Sequence, residues 1–479
     1  MKDQKKSNFK NNYLLSIGEI LSRIPMIFTI GYLAKSVGPE AFGAWSLVLV
    51  LQTLLTALGG AGLGTALMRY GPNASKDVAY QYIILSIKKS AVFLAVLSVF
   101  VYVFNNNIGT LLNIKGEYQW LLMVSCVMTM GSILDSHLDK YFKARILINK
   151  QITYLFIRTF AEVIAVISVF YFMSFSHVSN AIFSYILIVV SIKLIIYPWL
   201  ILEKKLIKRD KVELKNKDTF LNFSYLLVPS ILLAWIIIQT DRIILGWMLS
   251  PVELGVYAFS ATLASYIVFI SYSIMPLFQS LSALYYDKGE FQRLRNLYEI
   301  WQYLYISAAT ILMIILVFLS KEILSLTAGE EYSKLPHILL WLSAGVAVDQ
   351  LFGQYQLIFN LAEKPKLSTL VNSIKLLSLV GLMPFFVYLY GINGAVLGLM
   401  VSVIIVNIVR YKIAIKLIDI RITFFVKMYL TLSIVSIILF SYMHHLNFML
   451  KSSLIIISIL SFVIYFIAGQ KKLSERNYF

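Results

Sequence analysis

Charge is scarce in this chain: Asp, Glu, Lys and Arg make up 14% of its 479 residues, against about 25% in an ordinary soluble domain. Cysteine is nearly missing. Cys126 stands alone inside an apolar run, so neither an internal disulfide nor a cysteine metal cluster can form. No GxxxxGK[ST] phosphate loop occurs, and the five histidines fall at no metal-ligand spacing. His444 and His445 are adjacent on a short polar connection and read as a solvated pair. These absences exclude a water-soluble globular enzyme, a disordered chain, a secreted disulfide scaffold and a nucleotide-driven pump. They call for no cofactor, metal or nucleic-acid partner. Any energy input must come from an ion gradient or from product removal.

Apolar residues are what the chain has: 59% are hydrophobic and the mean hydropathy is +0.78. A membrane-crossing helix needs about 20 such residues. Fourteen runs qualify, near 13–34, 42–68, 87–103, 118–136, 153–173, 181–202, 223–249, 254–276, 303–319, 338–359, 367–390, 395–409, 424–443 and 452–468. They are too long for β-barrel strands. The basic start MKDQKKSNFKNN leads into the first run with no small-residue cleavage site, so that run reads as a retained span.

The 42 Lys and Arg exceed the 24 Asp and Glu by 18. With the amino terminus in the cytoplasm, and Lys88 and Lys89 at the inner end of the third run counted as inside, 31 of them fall on inside segments, 5 on outside loops and 6 within spans. That bias fixes the orientation by the positive-inside rule and puts both termini in the cytoplasm. The expected location is the bacterial cytoplasmic membrane. The outside loops are too short for an extracellular domain. The longest inside loop, ILEKKLIKRDKVELKNKDTF, has a linker's composition. It divides the chain into a six-helix bundle over 1–203, a linker over 204–219, a second bundle over 220–421 and an addition of two helices with a tail over 422–479.

The two bundles repeat one another. IGYLAKSVGPEAFGAWSL follows the first span and ILGWMLSPVELGVYAFS the seventh, aligning Gly43 with Gly255 at an offset of 212. SHVSNAIFSYILIVVSI and YGINGAVLGLMVSVIIV align Asn180 with Gly394 at 214. An even number of spans per repeat implies a pseudo-twofold axis along the membrane normal, with a cavity between bundles. Pro25 and Pro229 predict an interrupted first helix in each half, the sequence mark of a transporter site, although both also read as simple kinks. The string GGAGLG, from Gly59 to Gly64, reads as close helix packing within the second span.

Four of these stretches carry a family resemblance: LAKSVGPEAFGAWSL, TDRIILGWMLSPVELGVYAFSATL, LTAGEEYSKLPHILLWLSAGV and YGINGAVLGLMVS. In this order the chain resembles the polysaccharide-transport, O-antigen-flippase-like branch of the multidrug and oligosaccharidyl-lipid exporter superfamily. The resemblance covers most of 14–416. It implies an all-α polytopic membrane protein of about fourteen helices, with two pseudo-twofold six-helix bundles around a V-shaped central cavity and two extra carboxyl-terminal helices. It implies a substrate, an undecaprenyl-diphosphate-linked sugar moved from the cytoplasmic to the outer leaflet, in contact with membrane lipid and in company with a polysaccharide polymerase.

Ionisable residues inside spans cost at least about 2.5 to 3.5 kcal/mol at mid-bilayer, so each should face a cavity or a partner. An anionic diphosphate needs cations along its route, and Arg can hold phosphate bidentately. Arg23, Arg158, Lys193, Arg242 and Lys375 are the candidate substrate-binding residues. Glu19, Asp135, Glu162, Asp241 and Asp349 are the candidates for a coupling proton or sodium. Structural alternatives stand beside these. Glu19–Arg23 and Arg158–Glu162 are spaced as self-neutralising helical pairs, Lys193 could snorkel, and Asp241–Arg242 could fix a helix end. Lys375 has no acid near it in sequence. Trp45, Trp120, Trp199, Trp247 and Trp301 read as interface anchors.

Three other functions compete. A cation-coupled drug exporter of the same superfamily should have acids and aromatics, not six Lys or Arg, in its spans. A polymerase or glycosyltransferase would need a long outer loop. A pure scaffold would not need charges inside spans.

Overall fold

The computed structural model describes residues 2–201, 217–268 and 275–419, apart from 73, 115, 146, 174 and 176. Spans thirteen and fourteen lie outside the described residues, as do most of the 204–219 linker and the side chains of Glu19, Arg23 and Trp199. Among the described residues every regular element is helical. Eight runs are long and apolar enough to cross a membrane. Two of these, Ile24–Gly60 and Lys366–Ile418, have 37 and 53 residues, which is enough for two crossings each. The protein is an all-α, multi-pass membrane protein.

Two compact units make up the chain, residues 1–255 and 256–479. In the first, α1 (Lys2–Gly60) is two helices joined at Gly38, whose φ of 80° and ψ of 165° suit only glycine. Pro25 does not interrupt it: the backbone stays helical there and leaves helical φ and ψ at Gly38. The predicted second span is the one that breaks. Ala61 and Gly62 take φ values of 43° and 72°, ending α1 and starting α2 (Leu63–Tyr70). The GGAGLG string also packs closely, with Gly59 against the Ile133 side chain and Gly62 against the Ser224 carbonyl.

After α2 come α3 (Lys76–Val103), α4 (Asn105–Leu111), α5 (Leu121–Ala144), α6 (Ile148–Phe172) and α7 (Val178–Ile201). The seventh span is built as α8 (Lys217–Leu226) and α9 (Val228–Met248), with Pro229 in the first turn of α9. There its missing N–H costs no hydrogen bond, so it starts a helix and does not kink one. α1 packs on α5, α6 and α9. The first unit therefore contains the seventh span, which the six-plus-six division assigns to the second bundle; that division remains a proposal about the repeat.

The second unit holds α10 (Pro251–Ser265) beyond its first turns, α11 (Met275–Asp287), α12 (Phe291–Ala328), α13 (Pro336–Gly353), α14 (Tyr355–Leu361) and α15 (Pro365–Ile418). Ser250 and Glu253 cap the start of α10 reciprocally, the Glu253 N–H donating to Ser250 Oγ and the Ser250 N–H to Glu253 Oε2. α15 turns back on itself at Gly391, φ 57° and ψ −136°.

Beside an apolar core, the helices bury hydroxyls and amides and expose large apolar side chains. Ser86, Thr129, Gln151, Ser260 and Ser402 are buried, while Val96, Phe172, Ile195, Leu377 and Tyr388 are exposed. A bilayer explains this, because lipid welcomes apolar side chains and hydroxyls must find partners inside. Ser86 and Ser402 donate to carbonyls one turn back, and Gln52 on α1 donates to Ser132 on α5. Trp45 and Trp301 are buried and are not interface anchors. Trp301 sits among Phe278 and Tyr305 with ring centroids 5.2 and 5.6 Å away. Its bulk is used for core packing of α11 against α12.

Candidate functional site

Two charge clusters lie within the helices, one in each unit. In the first, α5 presents Asp135. Its Oδ2 accepts from Lys193 Nζ on α7 at 2.6 Å, and its Oδ1 accepts from the Tyr197 hydroxyl one turn further along. Tyr154 on α6 donates to the Asp135 carbonyl at 3.2 Å. Arg158, one turn along α6, brings Nε to 3.9 Å from Asp135 Oδ2 and 4.0 Å from Glu162 Oε1. Three helices thus meet on one carboxylate. Lys193 does not snorkel; burial with an acid replaces the need. Nor is Arg158–Glu162 a closed helical pair, since Asp135 on another helix lies equally near.

In the second unit, α13 presents Asp349. Its Oδ2 accepts from Lys375 Nζ at 2.8 Å and its Oδ1 from Arg410 Nη1 at 2.6 Å. Both cations sit on α15, on either side of the turn at Gly391. Arg410 Nη1 also donates to Asn407 Oδ1 at 2.8 Å. The acid that Lys375 lacked in sequence is therefore 26 residues away.

The two clusters follow the internal repeat. Asp349 lies 214 residues after Asp135, Lys375 lies 217 after Arg158, and Arg410 lies 217 after Lys193. In each half the fourth span carries an acid and the fifth and sixth carry a cation. Sequence reasoning missed Arg410 because it falls just past the apolar run 395–409 and reads as a loop cation. The structure keeps it inside α15 and buries it. Its repeat position, equivalent to Lys193, was the signal that could have found it.

Asp241 and Arg242 belong to neither cluster. They lie in the body of α9, where the Arg242 N–H donates to Asp241 Oδ1 at 2.8 Å, so they do not fix a helix end. Glu19 and Arg23 are one turn apart on α1. Among the described residues no three His, Cys, Asp or Glu side chains come together to hold a metal.

Chemically, the first cluster sets two cations against two acids, and the second sets two cations against Asp349. A carboxylate buried with cations costs less than the ions apart, and removing one partner leaves an uncompensated charge worth about 3–5 kcal/mol. The arrangement offers cations, not a nucleophile and base.

The family model for "polysaccharide biosynthesis protein" matches residues 9–282, more than half the chain, and the MatE model matches 227–387. No curated protein sequence matches. Among solved structures, the lipid II flippase MurJ in an inward closed conformation superposes with a TM-score of 0.72 at 17% identity, covering 95% of this chain and 99% of that one. An inward-facing multidrug resistance MATE family transporter of the MOP superfamily gives 0.64 at 15%, covering 84% and 98%. A MOP superfamily transporter from Pyrococcus furiosus, described by the reverse polarity of its binding pocket, gives 0.53 at 15%, covering 86% and 98%. At these identities the likeness shows a shared fold.

Proposed function

Because the chain belongs to the polysaccharide biosynthesis protein family, we propose that it moves an undecaprenyl-diphosphate-linked oligosaccharide from the inner to the outer leaflet of the cytoplasmic membrane. The observation that carries this reading is the repeated placement of cations around a carboxylate within the helices, at Arg158 and the buried Lys193 in one unit and at Lys375 and the buried Arg410 in the other. Charge of that sign inside a bilayer is expensive. An anionic headgroup that must cross is the cargo that repays it. Arg23 and Arg242 complete the proposed cation set. The repeat units delivered outside would feed a polysaccharide polymerase.

Movement is by alternating access, without nucleotide hydrolysis. A coupling proton or sodium would use the acids Glu19, Asp135, Glu162, Asp241 or Asp349. Asp135 and Asp349 already hold cations on their carboxylate oxygens, so ion uptake there must first break those bonds.

A second reading, a cation-coupled multidrug exporter, draws on the MatE match over 227–387. One experiment separates the two. In a strain lacking the protein, lipid-linked repeat units should accumulate on the cytoplasmic side and surface polysaccharide should fall, with drug sensitivity unchanged. Normal polysaccharide together with new drug sensitivity would replace the first reading with the second.

A further inference from the structure

The cluster in the second unit is one anion short. In the first unit Asp135 and Glu162 balance Arg158 and Lys193. In the second, among the described residues, Asp349 alone faces Lys375 and Arg410. The position 217 after Glu162 is Leu379, buried on the same face of α15 as Lys375. The donors differ too. Tyr154 and Tyr197, which bond Asp135, correspond at the same offset to Val371 and Ala414, both fully buried and much smaller.

Unsatisfied donors accompany the missing charge. Asn407 and Arg410 are 3% and 5% exposed, yet Asn407 Nδ2 and Arg410 Nε have no hydrogen-bond partner among the described residues, where the first cluster leaves one such donor, Arg158 Nε. The bond from Arg410 Nη1 to Asn407 Oδ1 at 2.8 Å keeps these two side chains together. A buried donor without an acceptor is unfavourable, and two beside an uncompensated positive charge call for an anionic acceptor. The cluster is open at its other end, where the side chains of Lys375 and Asp349 are 22% and 27% exposed.

We propose that Asn407, Arg410 and Lys375 form an oxyanion site in the second unit, where a phosphoryl group supplies the second anion that Glu162 supplies in the first. That the group belongs to a lipid-linked diphosphate rests on the proposed function; that the site takes a phosphoryl oxyanion does not.

The test uses the full-length protein in nanodiscs of zwitterionic lipid. Binding of inorganic pyrophosphate and of undecaprenyl diphosphate is measured by calorimetry for the wild type, Leu379→Glu and Asn407→Ala. Leu379→Glu supplies the missing anion four residues after Lys375 and should weaken binding about tenfold or more while the melting temperature holds or rises. Asn407→Ala, which removes one donor, should weaken it about fivefold to tenfold and serves should Leu379→Glu fail to insert. Tight lipid binding with weak pyrophosphate binding identifies the headgroup as the source, and the reverse identifies the free anion. Either result supports the site, and neither depends on transport, so loss of the polysaccharide phenotype is judged separately. Unchanged affinity for both ligands in both variants, or no saturable binding in the wild type, would mean that water fills the cluster and would overturn the proposal.

Discussion

Gly43 and Gly255 lie against one another, and each closes on the other's helix start. A Cβ on Gly43 would run into the Pro251 carbonyl oxygen, and one on Gly255 into the Pro39 carbonyl oxygen. The same added carbons would stand 3.0 Å from the Gly255 nitrogen and 3.1 Å from the Gly43 nitrogen. These residues are also the pair that aligns at an offset of 212 in sequence. A reciprocal contact between repeat-equivalent positions is what a local twofold relation between the two motifs produces.

Gly43→Leu should therefore destabilise the protein by about 3 kcal/mol or more, since the obstacle is backbone and cannot swing aside. Ala41→Leu, two residues earlier, tests simple overpacking of a buried alanine. Thermal melting in detergent checks this. A Gly43→Leu protein that melts with the wild type would show that the contact opens freely.

Asp135→Asn strands Lys193 inside the membrane without its carboxylate. We expect a loss of about 3–5 kcal/mol. Adding Lys193→Met should recover most of it, because a neutral side chain of similar length no longer needs a partner. Membrane levels and melting temperature report the outcome. A single mutant as stable as the double would remove Asp135–Lys193 as the point that ties α5 to α7.

Arg23 is tested by a charge-paired exchange. Removing it alone leaves Glu19 without compensation, which is destabilising whatever its role. Glu19→Gln with Arg23→Gln removes both charges and keeps hydrogen-bonding capacity. If Arg23 binds the diphosphate, surface polysaccharide should stay lost at matched membrane levels, and Arg23→Lys should restore only part of it. Full polysaccharide from the double mutant would make the pair structural.

Topology is checked with single cysteines in a Cys126→Ser background. Asn106→Cys and Asn180→Cys should react with an impermeant thiol reagent on intact cells, and Lys215→Cys should not. Labelling of position 215 from outside, with none at 106, would reverse the orientation drawn from the basic residues.

The sequence by itself determined where the first twelve spans run, because a bilayer imposes length and apolarity on each segment locally. Helices cover most of those runs among the described residues, although the second is interrupted at Ala61 and Gly62, and two joints between helices fall at glycines, Gly38 and Gly391. It also determined which charges to examine, because every ionisable residue within a run is costly on its own. It could not determine their partners. Lys193 and Asp135 are 58 residues apart and Arg410 and Asp349 are 61, and neither pairing follows from a helical period. Spacing favoured Glu162 for Arg158, and hydropathy sent Arg410 to a loop. Only the packing of α5 against α6 and α7, and of α13 against both arms of α15, brought those charges to a common carboxylate. The bond depends on which faces of separate helices meet, and that is settled by the whole bundle and not by any one segment.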